Sequence, residues 1–264
     1  MNGWWQIVLL GLVQGVAEFL PISSSGHLVL VEQGLRRLMG GHDLAPGKDL
    51  EVLLHVGTLA AIVVVYRRDL WQLRYDRRLW AAVIWGTLPA AILGVTLDDW
   101  FDRLFDSLAA TGVGLLITSL LLSLGHRYRH GDKALPQLHG KQALMVGLFQ
   151  ALALVPGISR SGSTITAGLL AGLERQAAAQ FSFLLALPVT AGAIVLSLRH
   201  GLQQGLSVSG PQAALGIAVS FVVGWCSLRL LLRVILRDRL PWFAAYCALL
   251  GCLTLLWAWF VPAG

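Results

Sequence analysis

Six apolar runs decide where this chain folds. They occupy roughly 50–66, 80–97, 107–124, 180–198, 211–229 and 242–261, each close to the ~20 residues that a helix needs to cross a bilayer. Lipid satisfies no backbone polar group, so runs of this length must close their own hydrogen bonds as α-helices. Composition agrees. Only 13% of the 264 residues are charged and 56% are hydrophobic, whereas about a quarter of a soluble domain is charged. Pro89, Pro188, Gly57 and Gly94 fall inside the runs, which membrane helices tolerate because neighbours re-satisfy the backbone. The expected fold is an all-α polytopic membrane protein, a single integral membrane domain over 1–264.

Loop charge orients it. Arg67, Arg68, Arg74, Arg77 and Arg78 crowd the connection 67–78, Arg127, Arg129, Lys133 and Lys141 the connection 125–141, and Arg229, Arg233, Arg237 and Arg239 the connection 229–239. Such loops face the cytoplasm. The connection 98–106 is acidic, with Asp98, Asp99, Asp102 and Asp106, and 199–210 is poor in basic residues, so both are expected outside. The net charge of +6 is accounted for by these loops and anionic lipid, with no nucleic-acid partner. Cys226, Cys247 and Cys252 lie in apolar runs, without metal or disulfide spacing, and read as packing residues. Trp4, Trp5, Trp257 and Trp259 fit interfacial belts. The first twenty residues carry no basic n-region, which argues against a removable signal peptide.

Keeping all three basic loops on one side leaves two segments, 3–40 and 142–173, that must each start and finish on the same side of the membrane. Both run apolar residues into a proline and then into serines and glycine. Gly11–His27 reads GLVQGVAEFLPISSSGH and Gly147–Ser163 reads GLFQALALVPGISRSGS, an ungapped match at an offset of 136. Self-similarity of this kind marks a duplicated unit, here about 3–124 and 140–261. Short apolar halves broken by proline read as re-entrant hairpins, which are allowed at membrane depth where protein or a water cavity surrounds them. Three spanning helices separate the hairpins, an odd number, so they enter from opposite faces. Inverted repeats with broken helices are a transporter architecture, and at this level transporter and intramembrane enzyme both stand.

The chemistry sits at the tips: Glu18, Ser23, Ser24, Ser25, Gly26 and His27 on one, Ser159, Arg160, Ser161, Gly162, Ser163 and Thr164 on the other. A helix start presents unpaired N–H groups and attracts anions, phosphate above all. Arg160 adds a planar fork that matches phosphate oxygens. Taken singly, a serine beside a proline is an N-cap, and a lone histidine is a satisfied core residue. Two matching clusters shift the balance, as does the cost of an ionisable group within a membrane segment. His55 has no polar company in its run and reads as packing.

At these residues the chain resembles the bacitracin-resistance type of undecaprenyl-diphosphate phosphatase. The resemblance rests on Gln14 and Glu18 followed by Leu20 to His27, on Pro156 to Thr164, and on the segment Phe181 to Ala186. It implies removal of the terminal phosphate from undecaprenyl diphosphate, a polyprenyl lipid substrate, to return the monophosphate carrier to peptidoglycan synthesis. A polyprenyl phosphate flippase is the alternative. The resemblance further implies a bacterial inner-membrane protein whose active site opens to the periplasm, with a divalent cation, Mg²⁺ or Ca²⁺, at Glu18. Gln14 stands where many members have glutamate and is the weaker metal ligand. Catalysis is expected from Glu18, Ser24, His27 and Arg160, with Ser24, His27 or water as the attacking group. Gln14, Ser23, Ser25, Gly26, Ser159, Ser161, Gly162, Ser163 and Thr164 are expected to bind substrate. A homodimer is compatible with the sequence but is not specified by it.

Overall fold

The computed structural model describes residues 3–39, 48–73, 75–204, 208–236 and 238–260. Arg74 and Arg237, counted in two basic loops above, lie outside these. In chain order the helices are α1 (Trp4–Ala17), α2 (Ser24–Leu38), α3 (Lys48–Val65), α4 (Arg67–Leu73), α5 (Arg77–Thr96), α6 (Asp98–Phe105), α7 (Leu108–Arg127), α8 (Gly140–Leu152), α9 (Arg160–Leu170), α10 (Arg175–Gln204), α11 (Gly210–Leu236) and α12 (Leu240–Phe260). No strand forms among the described residues. The protein is thus an all-α, multi-pass membrane protein.

Among the described residues, five helices are long and apolar enough to cross a membrane, namely α5, α7, α12 and the stretches Arg175–Arg199 and Gly210–Arg233 of α10 and α11. The sixth expected span, α3, is apolar only over Leu50–Val65 and is shorter than the others. Length alone therefore does not make α3 a spanning helix.

The two segments read as hairpins both double back. In each, a helix of 13 or 14 residues stops at the turn and a second begins seven or eight residues later. Proline explains the break, because it lacks an N–H to continue the ladder and pushes its predecessor out of the helical region. Each first arm packs on a helix from the other half of the chain, α1 on α11 and α8 on α5.

Contacts at the helix ends show where the hairpins open. Arg37, at the end of α2, lies 5.4 Å above the ring of Trp257 near the end of α12. Just beyond the second hairpin, Arg175 reaches Asp238, which precedes α12, at 3.5 Å. The mouths of the two hairpins therefore lie at opposite ends of α12. Asp238 also forms an ion pair with Arg129, whose Nε lies 2.9 Å from Oδ2, and a hydrogen bond with His126 Nδ1 at 3.2 Å, and Gln180 Nε2 donates to Asp69 Oδ1 at 2.6 Å. These bonds gather the three basic connections at one end of the molecule.

The tips reach mid-helix depth. Thr118, halfway along α7, donates to Gly157 O at 2.8 Å and accepts from Ser159 N–H at 2.9 Å. Cys247, about 10 Å along α12 at 1.5 Å per residue, is buried and points its thiol at Pro21 O, 3.8 Å away. It is the packing cysteine of the three; Cys226 and Cys252 are exposed on the outer surface.

Gly157 fixes the second tip against α7. Its φ is +86°, and a Cβ there would strike the carbonyl oxygen of Thr111. Left-handed backbone costs an L side chain about 1–2 kcal/mol, and overpacking a tight site adds about 1–3 kcal/mol. Gly157→Ala is expected to lower the detergent melting temperature clearly, whereas Gly192→Ala, which meets nothing within 4 Å, leaves it unchanged.

Candidate active site

Both second arms start in the same way. Ser23 caps α2 by accepting from Gly26 N–H at 3.2 Å, and Ser159 caps α9 by accepting from Gly162 N–H at 3.1 Å. Ser25 Oγ lies 3.2 Å from Ser23 Oγ, and Ser161 Oγ 3.3 Å from Ser159 Oγ. Capping, the simpler role for a serine here, is what Ser23 and Ser159 do. The first helical residues that follow, Ser24 and Arg160, occupy equivalent positions of the duplicated motif, and both turn to one carboxylate.

That carboxylate is Glu18. Arg160 Nη2 donates to its Oε1 at 2.6 Å, Ser24 Oγ donates to its Oε2 at 2.6 Å, and Gln14 Nε2 donates to Oε2 at 3.0 Å. The tips also touch directly, since Ser161 Oγ donates to Leu20 O at 3.3 Å and a Cβ on Gly26 would lie 3.1 Å from Gly157 Cα. Two helix starts therefore converge on a buried polar cluster that holds the Arg160 cation and the Glu18 carboxylate.

Arg160 does more than neutralise Glu18. Its Nη1 is buried and has no hydrogen-bond partner among the described residues. A buried, unsatisfied guanidinium N–H is costly and calls for an acceptor. With Nη2 on Glu18 and Nη1 open, the fork is half used, in the geometry that would receive an anionic oxygen.

Two histidines depart from expectation. His27 Nδ1–H donates to Ser23 O at 2.7 Å, because a carbonyl can only accept. Its Nε2 then accepts from the Tyr246 hydroxyl at 2.6 Å, with the two rings stacked 5.7 Å apart. Both ring nitrogens are engaged, and the group bonded to Ser24 is Glu18, not His27. His27 instead secures Ser23, whose φ of 72° is unusual for a residue with a side chain and costs about 1–3 kcal/mol unless its surroundings hold it. Tyr246→Phe removes one hydrogen bond of about 0.5–1.5 kcal/mol, so turnover is expected to fall no more than about tenfold, measured as kcat and KM separately.

His55, read from the sequence as packing, belongs to the site. Its Nδ1–H donates to Glu51 O at 2.8 Å, and its Nε2 lies 3.7 Å from Glu18 Oε2. The apolar run around it hid this, because its polar partner comes from another helix. The signal in the sequence was an ionisable residue within an apolar segment, which is expensive unless used. Of the other expected residues, Thr164 turns away from the tip: its Oγ1 meets Arg160 O at 2.8 Å and Ser182 Oγ at 2.6 Å, joining α9 to α10. Ser163 is buried, and its Oγ has no partner among the described residues.

A divalent cation does not find a cage in these side chains. Among the described residues no three His, Cys, Asp or Glu side chains cluster as a metal site. Glu18 is the one carboxylate at the tips, and both of its oxygens already accept hydrogen bonds, one from a guanidinium. Gln14 Oε1 is a buried acceptor without a partner, but Ca²⁺ takes six to eight oxygens and Mg²⁺ six.

The fold is that of a polytopic helical membrane protein with a buried cluster of polar side chains at the meeting point of two broken hairpins. Comparison with known sequences makes this specific. The family model described as bacitracin resistance protein BacA matches residues 7–253, and the chain belongs to that family. It is 42% identical over 254 residues to the undecaprenyl-diphosphatase of Rhodopirellula baltica, covering 95% of this chain and 96% of that protein. The undecaprenyl-diphosphatase of Syntrophotalea carbinolica is 40% identical over 255 residues, covering 92% and 95%. That of Carboxydothermus hydrogenoformans is 37% identical over 258 residues, covering 95% of each.

Proposed function

We propose that this protein hydrolyses undecaprenyl diphosphate to undecaprenyl phosphate and inorganic phosphate, and so returns the lipid carrier to peptidoglycan synthesis and confers bacitracin resistance. The observation that carries the site assignment is the buried, unpaired Arg160 Nη1 at two converging helix starts, beside a hydroxyl already bonded to a carboxylate. The end-to-end similarity to undecaprenyl-diphosphatases supplies the substrate.

In this reading Arg160 Nη1 and the N–H groups of the two helix starts hold the terminal phosphoryl group. Ser24 Oγ attacks its phosphorus, and the Ser24 proton passes to Glu18 Oε2, 2.6 Å away. The bond from phosphorus to the bridging oxygen breaks, and undecaprenyl phosphate leaves with that oxygen. Water then attacks the phosphorus of the phosphoserine, the bond from Ser24 Oγ to phosphorus breaks, and Glu18 returns its proton to Oγ, which releases phosphate and restores both hydroxyl and carboxylate. Phosphoryl transfer asks chiefly for positioning and charge stabilisation, and these side chains offer both. Ser25 and Ser161, beside the capping serines, add hydroxyls to the rim. The geometry favours Ser24 over His27 as the nucleophile, since Ser24 has a base in contact and His27 has both nitrogens committed.

The site would open to the periplasm of an inner-membrane protein, because the mouth of the first hairpin lies at the end of α12 opposite the basic connections. The deciding experiment is phosphate release from undecaprenyl diphosphate by the purified protein, with and without chelator. Release that survives chelation supports hydrolysis by side chains alone, and release abolished by it and restored by Mg²⁺ or Ca²⁺ brings a cation in with the diphosphate. No release under either condition, with movement of polyprenyl phosphate across liposomes, would make the protein a flippase.

A further inference from the structure

We propose that the groove between α3 and α11, at the end of the molecule where the basic connections gather, binds one anionic phospholipid of the phosphatidylglycerol kind. The groove measures about 780 Å³ and has two unlike parts. One wall is apolar and faces outward, with Val64 39% and Val222 55% exposed. The other end carries Arg67, Arg68 and Arg229. Arg229 is held in place by Trp225, its guanidinium carbon 3.9 Å from the ring centroid, which leaves the edge of its fork available for oxygen.

Among the described residues no carboxylate pairs with Arg67, Arg68 or Arg229. The nearest acid in sequence, Asp69, accepts instead from Gln180 at 2.6 Å. An apolar flank that leads to three uncompensated cations fits a molecule with acyl chains at one end and a phosphodiester at the other. The absence of an acidic group among the lining residues leaves nothing to meet the cationic part of a choline or ethanolamine headgroup, so the charge complementarity selects an anionic one. The place differs from the hairpin tips: Arg67 lies twelve residues beyond His55, about 18 Å along the helix direction at 1.5 Å per residue.

The test uses delipidated full-length protein in detergent, presented with phosphatidylglycerol and phosphatidylcholine of identical acyl chains, with bound lipid read by native mass spectrometry. One phosphatidylglycerol should be retained with about tenfold preference or more. The triple variant Arg67→Gln/Arg68→Gln/Arg229→Gln should lose that preference while releasing phosphate from undecaprenyl diphosphate at the wild-type rate. Val222→Trp, which fills the groove without changing charge, should lose retention as well. Equal retention of both lipids by the wild type would overturn the proposal, as would a preference that survives the triple variant. Retention that survives Val222→Trp would reduce the effect to general surface charge and overturn it too. Displacement of phosphatidylglycerol by equimolar undecaprenyl phosphate would assign the groove to the carrier lipid instead.

Discussion

Glu18→Gln is expected to lower the rate of phosphate release about 10³-fold, within the range for loss of a positioned general base. Glutamine is nearly isosteric and still accepts from Arg160 through its one carbonyl oxygen. It cannot take the proton that Ser24 now donates to Oε2. The substitution also leaves Arg160 without its counter-charge, and breaking a buried pair from one side is destabilising by about 3–5 kcal/mol. The rate is therefore read on monodisperse protein below its melting transition, at saturating substrate. A folded Glu18→Gln protein that retains more than a tenth of wild-type kcat would remove Glu18 from the chemistry. The loss should be shared by Ser24→Ala, and the double variant should be little worse than either single one, because the two act as one unit.

Arg160→Lys should cost about 10²–10³ in rate, the usual penalty for losing one preorganised donor at a developing charge. Charge is conserved, so a merely electrostatic role predicts little change. The structure predicts otherwise, since Nη2 is spent on Glu18 at 2.6 Å while Nη1 stays open. An ammonium is a point charge and does not bridge two acceptors in a fixed plane. If the new ammonium stays on Glu18, the phosphate loses its donor; if it turns to the phosphate, Glu18 is left unpaired. Near-normal turnover in a well-folded Arg160→Lys protein would show that the fork is not needed.

Much of this site is visible before folding. Ser24 and Arg160 stand out because polar residues follow apolar runs at matching positions of the repeated motif, and Glu18 because a carboxylate interrupts an apolar run. The two capping serines follow from the same pattern, since a serine after a helix-breaking proline satisfies the N–H groups that the next helix leaves open. Tyr246 gave no sign of belonging to the site, and His55 only the weak one of an ionisable residue in an apolar run. Each sits in an apolar run that reads as ordinary membrane helix, and Tyr246 meets His27 across 219 residues. For His27, proximity in sequence to Ser24 says nothing about which way an imidazole turns, and its ring nitrogens meet Ser23 O and the Tyr246 hydroxyl of α12.

Hydropathy is a local property, summed along the chain, and it suffices for the long apolar helices and the broken segments. The shared offset of 136 marks which residues are equivalent, and so which ones form the two tips. Which oxygen of Glu18 meets which donor, that Arg160 keeps one nitrogen free, and that α3 brings His55 alongside all depend on packing between helices distant in sequence. Those contacts are set by steric fit and by the need of each buried polar atom for a partner, and only the folded chain brings the candidates within reach of one another.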